Sequence, residues 1–340
     1  MDTTVLQRQQ KRLSRMSERG LKRSTVVVHK DNKMSLDLLR PHFASPECSE
    51  MLAQVAKNAT ESLKAVNVSS VRQLSPFRYA GGKTWLVPEV RRWIQSLPHR
   101  PTTFIEPFAG GAILGLTAAV ENLADRVVLC ELDPDVAAVW RVVFGRSNVD
   151  AQWLFDAILN ADLTEQYVRN VIGDEPSSIR GRAFRTIIKN RCQRGGILAP
   201  GAGLVKAGEN GKGLLSRWYP ETLVQRMKIL REVRSRVTFV QGDAFDVINE
   251  YANDPNAAFV VDPPYTAGGK KAGSRLYLHN SIDHEVLFES MAKVHGSFLM
   301  TYDDAPEVVE LATKNGFVIA RVPMKNTHHA IIYELLIKKS

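Results

Sequence analysis

The chain has 340 residues, with 45 Lys+Arg against 36 Asp+Glu for a formal net charge of +9, and 44% of it is hydrophobic. That much apolar content in that length supports a sizeable core and excludes wholesale disorder, a collagen-like fibre and a disulfide scaffold. No apolar run approaches the roughly 18 residues needed to cross a bilayer, and Cys48, Cys130 and Cys192 have neither metal-ligand nor redox spacing, so a reducing, cytoplasmic setting is expected.

In chain order, residues 1–74 read as a basic extension with marginal helices. Its first thirty residues carry a balance of +6, and no apolar segment or small-residue cleavage signal follows to make it a leader. From residue 76 the texture changes to short β-branched runs alternating with helical stretches. Strands are expected at 103–105, 126–130, 237–240, 257–261, 297–301, 317–322 and 331–337. Helices are expected at 112–122, 134–144, 245–251, 284–295 and 306–315. Such alternation predicts an α/β fold, a Rossmann-like and largely parallel sheet with helices on both faces. The alternation breaks between 149 and 236, where helical, Arg-rich sequence encloses the Gly-rich stretch 195–213. Residues 180–236 carry a balance of +11, so the chain outside this stretch and the basic start is an acidic body. The expected domains are therefore a catalytic body from 75–148 and 237–340, and a helical insertion, 149–236, that grips a polyanion.

The most specific motif is Asp262-Pro263-Pro264-Tyr265 at the carboxyl end of an apolar strand, the edge where open α/β sheets bind ligands. Two prolines make a rigid turn that lacks backbone donors. An Asp and a carbonyl held side by side suit an exocyclic amino group, and Tyr265 offers a ring for a base to stack on. Earlier, Glu106-Pro107-Phe108-Ala109-Gly110-Gly111 joins the first strand to the first helix of the sheet, and Glu131 ends the next strand about twenty residues later, where an acid grips ribose hydroxyls. There is no Gly-x-Gly-x-x-Gly and no phosphate loop, so the expected ligand is a nucleoside without a pyrophosphate.

Phe77-Arg78-Tyr79-Ala80-Gly81-Gly82-Lys83, Phe104 through Gly111, and Asp262-Pro263-Pro264-Tyr265, in that order and with the basic insertion before the last, resemble the Dam-type, alpha-class adenine-specific DNA methyltransferases. The likeness covers about residues 75–340, including Lys189-Asn190-Arg191 and the closing Tyr333-Glu334-Leu335-Leu336-Ile337. It implies S-adenosylmethionine as cofactor, no metal, and double-stranded DNA as partner for a monomeric enzyme. A restriction endonuclease is left open as a partner. By the same resemblance Tyr79, Gly81, Gly82 and Lys83 hold the methionine end of the cofactor, with Lys83 also able to pair with Asp262. Glu106, Phe108, Gly110 and Gly111 line the methionine and ribose, Glu131 accepts the ribose hydroxyls, and Asp243 takes the adenine. Asp243 is otherwise an N-cap. Asp262, Pro263, Pro264 and Tyr265 form the catalytic turn around a flipped base. Arg182, Arg185, Lys189, Arg191 and Arg194 recur at near-helical spacing and are expected to contact DNA. The same acceptor pair suits a cytosine amino group, and an inactive DNA-binding relative is the non-enzymatic alternative.

Three further features have bland readings beside functional ones. Trp218 before a helix start is expected in the core. Residues 268–273 are expected as a mobile loop after the catalytic turn, and His328 with His329 lacks further ligand spacing for zinc.

Overall fold

The computed structural model describes residue 48 and residues 68–78, 82–264, 282–325 and 331–339. The chain divides into two compact units, residues 1–64 and 65–340, and the second carries the fold.

Its seven strands are β1 (Thr103–Glu106), β2 (Arg126–Glu131), β3 (Val237–Gln241), β4 (Ala257–Val261), β5 (Ser297–Asp303), β6 (Val318–Lys325) and β7 (Ile331–Lys338). They lie in the order β3-β2-β1-β4-β5-β7-β6. The first five pair in parallel, and β7 enters antiparallel between β5 and β6. Every boundary differs from expectation by at most a few residues, the scatter usual for element ends. The chain winds outward from β1 to β2 and β3 and then returns to place β4 on the other side of β1. That reversal puts the crevice of a doubly wound sheet between the carboxyl ends of β1 and β4.

Ten α-helices are described: α1 (Val87–Ser96), α2 (Ile113–Val120), α3 (Pro134–Phe144), α4 (Asn148–Leu159), α5 (Glu165–Gly173), α6 (Ile179–Cys192), α7 (Pro220–Glu232), α8 (Ala244–Tyr251), α9 (His284–Lys293) and α10 (Pro306–Lys314). Several begin where the sequence signals a start. Asp133, Ser147, Thr164, Ser178, Asp243 and Asp283 each accept a backbone N–H of the turn that follows. Pro134, Pro220 and Pro306 occupy first-turn positions that need no donor.

Strand alternation sorts the core onto two faces. Phe104, Val127, Leu129, Val260 and Leu299 pack with α1, α2, α3 and the helices of the insertion. Ile105, Val128, Cys130, Phe259, Val261, Phe298 and Met300 pack with α8, α9 and α10. The insertion therefore shares a hydrophobic cluster with the sheet, because Ala183, Phe184, Ile187 and Ile188 of α6 and Leu223, Val224, Met227 and Leu230 of α7 are buried in it. The same cluster takes in Val71, Leu74 and Phe77, so the packed body begins inside the segment expected to be an extension through residue 74. Those three side chains supply apolar surface that a solvated arm would leave exposed.

Gly296, at the entry to β5, has no room for a side chain: a Cβ there would sit 2.3 Å from the Ala257 carbonyl oxygen. The close approach lets β5 start beside β4. Gly296→Ala is expected to destabilise the fold by about 1–3 kcal/mol, read as a lower denaturation midpoint with an unchanged m-value.

Candidate active site

The carboxyl ends of the strands assemble the site from segments far apart in sequence. After β1 the chain turns through Gly110, whose φ of 48° lies in the left-handed region that glycine adopts without strain. This turn is held from three sides. Ala109 N donates to the Cys130 carbonyl (2.9 Å), Gly110 N donates to Glu131 Oε2 (2.8 Å), and Trp140 Nε1 of α3 donates to the Gly110 carbonyl (2.9 Å). Glu131 Oε1 accepts Asp133 N at 2.8 Å, so one carboxylate ties the β1 turn to the start of α3. Burial pushes the Glu131 carboxyl up to about 7, against the lowering effect of its backbone donors.

Glu106 stands at the end of β1 but turns inward. It is only 3% exposed, its Oε2 accepts Gly115 N at 2.7 Å, and burial pushes its carboxyl well above the usual range. The resemblance placed Glu106 among the ligand-lining residues; the geometry makes it the brace between β1 and α2. Phe108 and Gly111 are half-buried beside it, and Gly110 is buried. Asp243, after β3, caps α8 by accepting Phe245 N at 2.9 Å. Next to it Gly242 N donates to the Glu131 carbonyl (3.2 Å), and the Cys130 thiol donates to the Gly242 carbonyl (3.3 Å). The capping role is thus in place, and it leaves Asp243 at the same edge as Glu131.

At the end of β4, Asp262 Oδ1 receives two donors: Thr301 Oγ1 of β5 at 2.7 Å and Lys83 Nζ at 3.1 Å. Lys83, 5% exposed, precedes α1 and also lies 3.7 Å from Glu334 Oε2 of β7. Burial works against its ammonium, but Asp262 and Glu334 outweigh that, and its pKa is raised. Pro263 is buried and Pro264 half-buried, which keeps the turn rigid. Gly82 is exposed beside Lys83, while Tyr79, Gly81 and Tyr265 lie outside the described residues, as do residues 268–273, His328 and His329. Among the described residues, no cluster of three or more His, Cys, Asp or Glu side chains is arranged to hold a metal, and no helix is long and apolar enough to cross a membrane.

The basic face expected of α6 is split. Arg185 and Arg191 are 4% and 5% exposed. The Arg185 guanidinium reaches the Asp174 carbonyl (2.6 Å) and Asp135, and that of Arg191 donates to the Pro76 carbonyl. These two belong to the packing rather than to an outer DNA-facing surface, because an α6 lodged between α3 and the 75–78 segment turns them inward. Lys189 pairs with Asp135 at 3.1 Å, whereas Arg194 is exposed and Arg182 half-exposed, 4.0 Å from Asp135. Trp218 is buried, as expected.

Residues that sequence reasoning left without a role do much of the joining. Asn190, fully buried, accepts Arg78 N at 2.8 Å and donates to the carbonyls of Arg78 and Gly196 at 2.9 Å each. Gly196, at φ 73°, has its Cα where a Cβ would meet the Arg78 carbonyl at 2.5 Å. Arg226 of α7 donates to the Ser75 carbonyl at 2.9 Å. Asn190 and Arg226, with Arg191, thus grip the backbone that leads into Gly82 and Lys83. Thr301 and Glu334 were missed as site residues because each sits in an apolar strand, and the closing segment that contains Glu334 gave it no role. His284, at the start of α9, has its Nδ1 3.0 Å from the Tyr302 hydroxyl, and burial lowers its pKa.

Residues 79–189 match the signature of the D12 class N6 adenine-specific DNA methyltransferase family. That stretch runs from the segment before Lys83 through Glu131 to α6 and ends before Asp262. That stretch, which supplies part of the edge of glycines and acids on this sheet, is thus similar to the adenine-specific DNA methyltransferase class. Among characterised proteins the chain is similar to the type II methyltransferase M.CviBI of Paramecium bursaria Chlorella virus NC1A, 26% identical over 198 residues, 55% of this chain and 67% of that protein. Solved structures with some likeness include the rRNA methyltransferase aviRa of Streptomyces viridochromogenes (13% identity, 82% of this chain and 88% of that one, TM-score 0.36). Another is the precorrin-6y C5,15-methyltransferase of Geobacter metallireducens GS-15 (12% identity, 74% and 88%, TM-score 0.31).

Because Asn190 satisfies three backbone groups at once, Asn190→Ala is expected to leave buried donors and acceptors unpaired and to cost about 1–3 kcal/mol. Calorimetric melting of the full chain, set against the surface variant Arg194→Ala, checks this; equal melting temperatures would refute it.

Proposed function

We propose that the chain transfers a methyl group from S-adenosylmethionine to the N6 amino group of adenine in duplex DNA. The observation that carries this reading is the Asp262 carboxylate, held by Lys83 (3.1 Å) and Thr301 (2.7 Å) beside the Pro263 carbonyl, at the sheet edge next to the β1–β4 crevice.

The donor and acceptor set fits the cofactor. Glu131 uses one lone pair on each oxygen for Gly110 N and Asp133 N, and a carboxylate has further lone pairs for a pair of ribose hydroxyls. The left-handed Gly110 turn brings backbone close to a ligand without a side chain in the way, and Asp243 stands at the adenine end of the same edge. When bound, S-adenosylmethionine supplies an electrophilic methyl on a sulfonium. The chain's own residues do the rest.

An adenine amino nitrogen is a weak nucleophile because its lone pair is spread into the ring. Asp262 and the Pro263 carbonyl accept its two hydrogens, which localises the lone pair and fixes its direction. Lys83 and Thr301 both bind Oδ1, so the carboxylate is oriented before the substrate arrives and costs no reorganisation at the moment of reaction. Transfer is direct and in line, with no enzyme nucleophile, and the amino proton leaves toward Asp262. Since N6 lies inside the duplex stack, the base is flipped out, with Tyr265 as the stacking platform. Arg182 and Arg194, the outward-facing members of the basic set, are the proposed phosphate contacts.

Incubation with methyl-labelled S-adenosylmethionine and duplex DNA, then digestion to nucleosides, is expected to give N6-methyladenine; label in cytosine would overturn the assignment. Asp262→Ala is expected to lower kcat by at least about a hundredfold, a loss typical of removing a fixed group from the reacting centre, while cofactor affinity changes far less.

Glu131 gives the cofactor step a pH dependence. Its carboxyl is raised to about 7, and hydroxyls are best accepted by the ionised form, so affinity for S-adenosylmethionine is expected to fall as pH drops through that value. Titration calorimetry on the wild type and Glu131→Gln checks this: the variant should bind weakly with little pH dependence, and a flat wild-type profile would contradict it.

A further inference from the structure

We infer that Glu334 is a positioning residue for the transfer: it shares the Lys83 ammonium with Asp262 and, when ionised, draws that charge off Asp262 so that Asp262 accepts the amino hydrogens more strongly. This deepens the methyl-transfer reading and rests on it.

Glu334 is an acid within the apolar strand β7, 6% exposed, between neighbours that serve the core: Leu335 packs on one face of the sheet and Leu336 on the other. A buried carboxylate is costly unless it is paired. Among the described residues its Oε2 has no hydrogen-bond partner, and it stands 3.7 Å from Lys83 Nζ. At that distance the link is electrostatic rather than a fixed hydrogen bond, whereas the 3.1 Å contact to Asp262 is one. Two carboxylates therefore divide one cation unequally, and the charge on the farther one decides how much of it the nearer one feels.

The surroundings restrict which groups take part. Glu334 pairs in register with Asp303 of β5, one residue beyond Tyr302 and two beyond Thr301. Charged groups facing it are Lys83 from before α1, Asp262 from β4 and Asp303 from β5. On β6, across the hairpin, Arg321 is engaged by Asp304 at 2.7 Å. Beyond Asp262 stands Tyr302, which takes His284 at 3.0 Å. Burial, opposed chiefly by Lys83, raises the Glu334 carboxyl to about 7, so its ionisation falls within the working range of an enzyme. The sign follows. Below that value Glu334 is neutral, more of the Lys83 charge falls on Asp262, and Asp262 is the weaker acceptor. Above it Glu334 is charged and the rate rises.

The arrangement also separates two pH effects with similar midpoints. Glu131 governs cofactor affinity, while Glu334 governs the rate with cofactor saturating.

The test measures kcat against pH at saturating cofactor and DNA for the wild type and Glu334→Gln, which keeps the side-chain volume. The wild-type rate is expected to rise through about pH 7. The variant should lose that limb and be slower on the alkaline side by about tenfold, the scale of losing a partner behind a reacting ligand, with KM for the cofactor nearly unchanged. In parallel, side-chain NMR of lysine-labelled full-length protein, without cofactor or DNA, is expected to show Lys83 titrating at lower pH in the variant. A variant that keeps the wild-type inflection, or an unmoved Lys83 titration, overturns the inference. Wild-type protein that methylates no adenine while Lys83 shifts as expected overturns the transfer reading and leaves the shared cation supported.

Discussion

The proposed catalytic edge depends on one buried cation. Lys83 comes from the loop before α1, Asp262 from the end of β4 and Glu334 from β7, and Thr301 of β5 joins them through the same Asp262 oxygen. An ammonium removed from water is tolerated only with carboxylates beside it, and carboxylates at that depth are tolerated only with the ammonium. Each therefore enforces the position of the others. The antiparallel insertion of β7 between β5 and β6 is what carries Glu334 to that point. A last strand added at the outer edge of the sheet would place the acid elsewhere.

A second hub, Glu131, does for the other half of the edge what Lys83 does for the catalytic turn. Its carboxylate closes the Gly110 turn and the start of α3, and its backbone carbonyl takes Gly242 N next to Asp243. Both hubs are side chains of one charge held by groups of the opposite character, yet they differ in consequence. Backbone donors fix Glu131 in place, whereas the Lys83 charge is divided between two acids and so responds to the protonation of the more distant one.

The insertion binds the catalytic body as well as extending it. Arg191 and Arg226 spend guanidinium donors on the carbonyls of Pro76 and Ser75, and Asn190 pairs with both backbone groups of Arg78. The backbone that leads into Lys83 is therefore anchored to the helices proposed to meet DNA. Buried arginines of this kind act as multi-donor struts for carbonyls that no strand or helix satisfies.

Local chemistry in the sequence determined the alternation of strands and helices, the acid and glycine turns at the strand ends, and the rigid Asp262 turn. Period-2 and period-3.6 apolar patterns, proline at helix starts and capping acids are all short-range signals. The residues that complete the site were out of reach for the same reason. Thr301 carries no motif, the segments around Asn190 and Glu334 gave those residues no role, and the roles of all three arise from partners 39, 112 and, for Glu334 with Lys83, some 250 positions away. Charge counting could not say which guanidiniums face outward, since a net charge has no direction. Only the packing of α6 between α3 and the 75–78 segment turned Arg185 and Arg191 inward and left Arg182 and Arg194 at the surface. The tertiary structure likewise decided which acid shares Lys83, because burial and register bring those charges together and neither is written in a local stretch of chain.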